Sequence, residues 1–142
     1  MRLLGPGNDL EMRLAVGIGG HCIVDFWGAH HLADANALRC ALEIASNVAG
    51  ATLLKIFLHE FDRHGGVTGV ALLAESHISI HTWPEKGYAA LDIFTCGGRA
   101  DPRRALDELI MQLKPTHVYL EHIVRGVDRV SGQRFKKQKA SH

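Results

Sequence analysis

The eleven residues Glu75–Glu85, ESHISIHTWPE, alternate polar and apolar side chains around His-Ile-Ser-Ile-His, and a period of two is the signature of a β-strand. Successive side chains on a strand point to opposite faces. His77, Ser79 and His81 therefore share one face, and Ile78 and Ile80 share the other. The isoleucine face demands a hydrophobic core. The other face carries two imidazoles and a hydroxyl where a half-buried strand ordinarily carries bland polar residues, and that choice asks for a chemical reason.

The rest of the chain can build the core. HCIVDFWG, ATLLKIFLHEF, VTGVALLAES, YAALDIFTCGG and THVYLEHIVRG read as further strands, with turns at DRHGG and PEKG. Ala37, Leu38, Ala41, Leu42, Ala45 and Val48 recur at helical spacing between Asp34, an N-cap residue, and Gly50, a residue suited to follow a helix. Asp101 caps a second helix that opens on Pro102 and runs through RRALDELIMQLK until Pro115. The order β-α-β-β, then β-β-α-β, predicts an α+β fold. We expect a two-layer sandwich, a largely antiparallel sheet with two helices on one face and pseudo-duplicated β-α-β-β halves. Such a layer leaves one sheet face seeking cover, and Val24, Phe26, Leu120 and Ile123 are candidates for a dimer surface there, although the sequence does not say which face they line.

Composition excludes several classes. The 142 residues fit one domain, 46% hydrophobic and 22% charged, with 16 basic against 15 acidic residues. No apolar run approaches the roughly 18–20 residues that span a bilayer, and the acids and glycines of MRLLGPGNDLEMRLAVGIGG do not form a signal-peptide core. The expected location is cytoplasmic, with no membrane partner. GIGGH lacks the rest of a phosphate loop and reads as turn chemistry. Residues 125–142 hold six basic residues and one acid, a net of +5, against +1 for the whole chain, which leaves −4 on residues 1–124. An acidic body argues against a nucleic-acid partner, and the tail reads as a solubilising end.

Cys22, Cys40 and Cys96 are odd in number and lack a CxxC, so no disulfide framework is expected. Cys22 and Cys40 read as small buried residues on a strand and a helix. Ten histidines raise the possibility of zinc, with His77, His81 and Cys96 as ligands, but no HExxH or paired close ligands support it, and the expected metal is none. His30 and His31 read as a solvated pair. A thiolate–imidazole pair, Cys96 with His81, is a better alternative.

The combination ESHISIHTWPE with GYAALDIFTCG resembles the core of the bacterial and archaeal S-adenosylmethionine decarboxylase proenzymes. Glu75-Ser76-His77, a strand histidine five residues after Ser76, the WPE turn and the cysteine of FTCG fall at the family's spacing. GATLLKIFLHEF and GVTGVALLAES match more loosely, and the likeness runs from about Gly20 to about Ile123. It implies an N-terminal arm at 1–20, a pyruvoyl-dependent decarboxylase domain at 21–124 cleaved between residues 75 and 76, and a basic tail at 125–142.

The resemblance also implies a mechanism. Ser76 Oγ attacks the Glu75 carbonyl, and the amide becomes an ester. β-Elimination frees Glu75, and the dehydroalanine left behind hydrolyses to a pyruvoyl group, the covalent cofactor. His81 matches the base that takes the Ser76 α-proton. Thr68 stands where the family has a processing serine. The pyruvoyl carbonyl forms a Schiff base with the substrate amine and acts as an electron sink when carbon dioxide leaves, and Cys96 matches the proton donor that follows. Glu85 matches the glutamate on the substrate ribose, Phe61 the aromatic on the adenine, and Ile78 a pocket wall. FDRHGGVT is one residue longer than the family's segment. The implied substrate is S-adenosylmethionine, for polyamine and spermidine synthesis, and the implied assembly is an α₂β₂ dimer of processed chains. The alternatives are ornithine or arginine as substrate, a non-catalytic regulatory subunit, and a zinc module. Ser76 and His81 lie an odd number of residues apart, so the scissile bond is expected at a kink or strand end.

Overall fold

The fold is taken from a computed structural model that describes residues 17–127 and the backbone of Arg2–Leu3. The remainder of the 1–20 arm and the basic tail from Asp128 onward lie outside the described residues. In chain order the elements are strands β1 (Arg2–Leu3) and β2 (Gly19–Trp27), helix α1 (Ala35–Val48), strands β3 (Leu53–Glu60), β4 (Val67–Leu73) and β5 (Ser76–Trp83), a 3₁₀ turn (Pro84–Lys86), strand β6 (Tyr88–Cys96), helix α2 (Pro102–Leu113) and strand β7 (His117–Arg125). The strands form a single sheet in the order β1-β7-β2-β6-β5-β4-β3. Every neighbouring pair is antiparallel.

Both helices start where short polar side chains dictate. Asp34 accepts a hydrogen bond from the Ala37 N–H at 3.0 Å, and Asp101 one from the Arg103 N–H at 2.9 Å. Each cap satisfies a backbone donor that the helix cannot, worth about 1 kcal/mol. After α1 the chain turns at Gly50, whose φ of 76° suits glycine. The two helices lie side by side on one face of the sheet. Their Leu38, Leu42, Leu106 and Leu109 meet Val24, Phe26, Ile78, Ile80, Leu91 and Ile93 from the strands, all essentially inaccessible to solvent.

The α+β two-layer architecture is the one expected, with differences in detail. β2 comes from the first half of the chain yet lies between β6 and β7 of the second, so the sequence halves are not halves of the sheet. β2 begins at Gly19, inside the stretch read as an arm. The glycine serves close approach there, because a Cβ at Gly19 would stand 2.6 Å from the Thr95 carbonyl oxygen. Val24, Phe26 and Leu120 are buried in the core and cannot form the dimer surface suggested for them. Ile123 has the opposite parity on β7 and belongs to the uncovered face. Cys40, expected to be buried, is exposed on α1.

Alternation along β5 gives a direct check on this layering. Ile80→Ala removes three side-chain carbons from the centre of the core, and we expect a loss of about 2–5 kcal/mol in urea unfolding.

Candidate active site

Leu73 pairs with Ser76 across the β4–β5 hairpin, so Ala74 and Glu75 are its two loop residues. The Glu75–Ser76 peptide therefore sits where the turn becomes strand, the strand end that the odd spacing of Ser76 and His81 calls for. Ser76 has φ of 154°, a value that residues with a side chain rarely adopt and that costs roughly 1–3 kcal/mol. Three neighbours hold this peptide. The Glu75 carbonyl oxygen accepts from the Cys96 backbone N–H at 3.0 Å and from Cys96 Sγ at 2.6 Å. The Glu75 carboxylate accepts from the Thr52 N–H at 2.9 Å and from Thr52 Oγ1 at 3.1 Å. Thr52 in turn accepts the Ala74 N–H at 2.9 Å. The Ser76 hydroxyl lies 3.1 Å from Nδ1 of His77.

A second constellation lies at the far end of β5. Thr68 pairs with His81 across β4 and β5, and Thr68 Oγ1 is 3.1 Å from His81 Nδ1. That contact fixes the ring and turns its other nitrogen away from Thr68. Both residues line a cavity of about 300 Å³ that Phe61, His64, Trp83 and Glu85 share. Glu85 is brought there by the 3₁₀ turn, which Gly87 closes in the left-handed conformation with its N–H on the Pro84 carbonyl. Phe61 is half exposed. Ile78 is not among the lining residues, because strand alternation turns it beneath the helices, where it is fully buried.

The candidate residues thus fall into two groups within one chain: Glu75, Ser76 and Cys96 at one end, and Thr68, His81, Glu85 and Phe61 at the other. His81 lies five residues along the strand from Ser76, roughly 16 Å at about 3.3 Å per residue. Thr68, His81 and Cys96 all have the parity of the sheet face that no helix covers. That face also carries Trp27, Phe57, Leu72 and Trp83, each more than a third exposed. Trp27 and Trp83 stack on Tyr88, with ring centroids 4.6 and 5.2 Å apart. Between the two groups, Asp92 binds Nε2 of His21 at 3.0 Å and the Ser79 hydroxyl at 3.3 Å. Among the described residues no three His, Cys, Asp or Glu side chains gather as a metal site, and no helix is long and apolar enough to cross a membrane.

Sequence reasoning missed Thr52, His21 and Asp92. Thr52 lies 23 residues before Glu75 in a stretch read as plain strand. The bulge between Leu53 and Lys55 breaks the register there, so no periodicity could have announced it. His77 was singled out by alternation but received no role.

The family model for S-adenosylmethionine decarboxylase matches residues 20–126. The chain belongs to that family. It is 50% identical over 98 residues to an S-adenosylmethionine decarboxylase proenzyme of Prochlorococcus marinus (strain MIT 9313), covering 68% of this chain and 78% of the relative. A proenzyme of Methanococcus maripaludis is 44% identical over 115 residues, covering 80% and 93%. The crystal structure of the adenosylmethionine decarboxylase from Aquifex aeolicus VF5 superposes with a TM-score of 0.72 at 39% identity, covering 82% of this chain and 97% of that one.

Burial separates the thiols of this family member. It pushes Cys22 from an ordinary 9.0 to about 12, with Arg103 opposing and Asp101 adding to the shift. The unfolded chain releases that proton near its ordinary value and the folded chain holds it to about 12, so this contribution to stability is complete below pH 9 and is lost as pH rises toward 12. With a thiol reagent at neutral pH we expect Cys40 to label first and Cys22 only after denaturation, read by peptide mass spectrometry.

Proposed function

We propose that this chain is a self-processing, pyruvoyl-dependent S-adenosylmethionine decarboxylase, cleaved between Glu75 and Ser76 and working in the cytoplasm for polyamine synthesis. The observation that carries the reading is the Glu75 carbonyl, held by both hydrogen-bond donors of Cys96 next to the Ser76 hydroxyl. Donors aimed at a carbonyl oxygen stabilise the negative charge that grows there when a nucleophile attacks the carbon. Ser76 is the only hydroxyl borne by the scissile peptide. Attack by Oγ converts the amide to an ester, and loss of the Ser76 α-proton then expels the Glu75 carboxylate.

The residues present fit a pyruvoyl group at position 76. When formed, that group supplies an electrophilic carbonyl that withdraws electrons from a bound α-amino acid. Cys96 remains beside it, and a thiol is protonated at neutral pH yet able to give up its proton. Glu85 offers acceptor oxygens for a pair of ribose hydroxyls, and Phe61 offers an exposed ring to a base. Every relative named above is an S-adenosylmethionine decarboxylase, and nothing comparable supports ornithine or arginine.

His81 and Thr68 are too far from Ser76 in their own chain to act on it. A second copy packed against the open apolar face removes that difficulty. A two-fold axis crossing the strands between two facing sheets reverses strand direction, and so lays the His81 end of one chain over the Ser76 end of its partner. The α₂β₂ assembly is then a requirement of the chemistry as well as a cover for Trp27, Phe57, Leu72 and Trp83.

Denaturing mass spectrometry should find a 75-residue and a 67-residue chain, the latter blocked by pyruvoyl, and a single 142-residue chain for Ser76→Ala. One intact wild-type chain after prolonged incubation rejects the reading. Cys96→Ala should still cleave, slowly, and lose most carbon dioxide release, whereas Glu85→Ala should cleave normally and need more substrate.

The shared site has its own test. Ser76→Ala and His81→Ala should each process poorly alone. Co-expressed, they place one intact Ser76 opposite one intact His81 in the mixed dimer, so cleavage and part of the activity return. Failure to complement, or a single αβ unit by sedimentation at micromolar concentration, removes the composite site.

A further inference from the structure

We infer that His77 is the general base of self-cleavage, relaying the Ser76 hydroxyl proton to the departing amide nitrogen; this rests on the self-processing reading above. His77 Nδ1 is the hydrogen-bond partner of Ser76 Oγ, at 3.1 Å. The imidazole beside it, His21, is engaged through Nε2 with Asp92, and His81 of the same chain is roughly 16 Å away along the strand. Cys96 Sγ is directed at the Glu75 carbonyl. An acceptor nitrogen within hydrogen-bond reach of a nucleophile is the arrangement that removes its proton as it attacks.

The ring is also held in place. It packs edge-on against Phe94 at 5.9 Å and against His21 at 6.4 Å. His21 is anchored by Asp92, which Ser79 holds in turn. Arg125 lies over the Phe94 ring at 4.7 Å. The polar face of β5 therefore ends in a fixed imidazole rather than a mobile one, and fixed geometry is what a proton relay needs.

The step balances without any added reagent. In the tautomer with its proton on Nε2, His77 presents the Nδ1 lone pair to Ser76 Oγ. Ser76 Oγ–H gives its proton to Nδ1 while Oγ bonds to the Glu75 carbonyl carbon. The C–N bond then breaks, and the imidazolium returns a proton to the Ser76 nitrogen. The products are the Glu75–Ser76 ester, a free amine and neutral His77. The later removal of the Ser76 α-proton is a separate task, left to His81.

The experiment follows cleavage of purified, freshly refolded full chain by mass spectrometry, with hydroxylamine added to trap ester. His77→Asn keeps a hydrogen-bonding group near the Nδ1 position but cannot serve as a base, and His77→Ala removes both. Both variants should cleave at least tenfold more slowly and trap little ester, and imidazole in the buffer should restore much of the rate to His77→Ala. His81→Ala should behave differently and accumulate trappable ester. Thermal melting in a Ser76→Ala background checks that each substitution leaves the fold intact. Wild-type cleavage rates in His77→Asn, or accumulation of ester in it, would overturn the relay while leaving self-processing in place. Slow cleavage without imidazole rescue in a fully folded His77→Ala also overturns it, because the ring would then be structural. Absence of cleavage in the wild type removes both.

Discussion

β5 is held between β4 and β6 in one register, and the site depends on that register. Pairing with β4 sets Thr68 opposite His81; pairing with β6 sets Thr95 opposite Ser76 and so brings Cys96 level with Glu75. A one-residue slip would turn Ile78 and Ile80 to the open face and drive His77 and His81 into the leucines of α1 and α2. The cost of burying unpaired imidazoles and exposing isoleucine forbids it. The hydrophobic core thus fixes the chemistry at one remove: it has no reactive group, but it decides which polar residues meet.

Much of this was legible beforehand because it rests on local physics. Asp34 and Asp101 announced the helix starts, and the alternation of His-Ile-Ser-Ile-His assigned the faces. The near absence of structural punctuation between β4 and β5 was harder. VTGVALLAES runs into HISIHTW with no glycine, proline or asparagine in the hairpin loop, and the turn is held instead by Thr52, the residue just before β3. That contact bridges 23 residues, beyond any periodicity argument. The same limit explains why Val24 and Phe26 were assigned no face: parity gives relative orientation along a strand, but only the helix packing says which parity is inside.

The parity conflict between Ser76 and His81 was legible too, and its resolution lies in the geometry of the turn together with the distance along the strand. A strand end lets Ser76 escape strict alternation, yet it does nothing about the roughly 16 Å to His81. The sequence motif joins residues that a single chain keeps apart. Its compactness is a property of the linear string; in the composite site proposed above a second copy of the chain joins them, and the open face with its stacked Trp27, Tyr88 and Trp83 is free of helix cover there.

Cutting the chain at residue 75 would dismantle many folds, and the topology explains why this one would hold together. The first fragment would contain β1, β2, α1, β3 and β4; the second would contain β5, β6, α2 and β7. Their strands are interleaved: β2 of the first is inserted between β6 and β7 of the second, and β4 pairs with β5 across the cut. Separating the pieces means breaking four antiparallel ladders, β1–β7, β2–β7, β2–β6 and β4–β5, and pulling α1 away from α2. The bond that is lost lies at the edge of a two-residue loop and carries none of those ladders. Thr52, on the same fragment as Glu75, holds the Glu75 carboxylate in the intact chain and would tether the new C-terminus to its own fragment. What the proposed cleavage would change is the freedom of residue 76, released from a φ of 154° at the end of a sheet that the core, not the peptide bond, holds together.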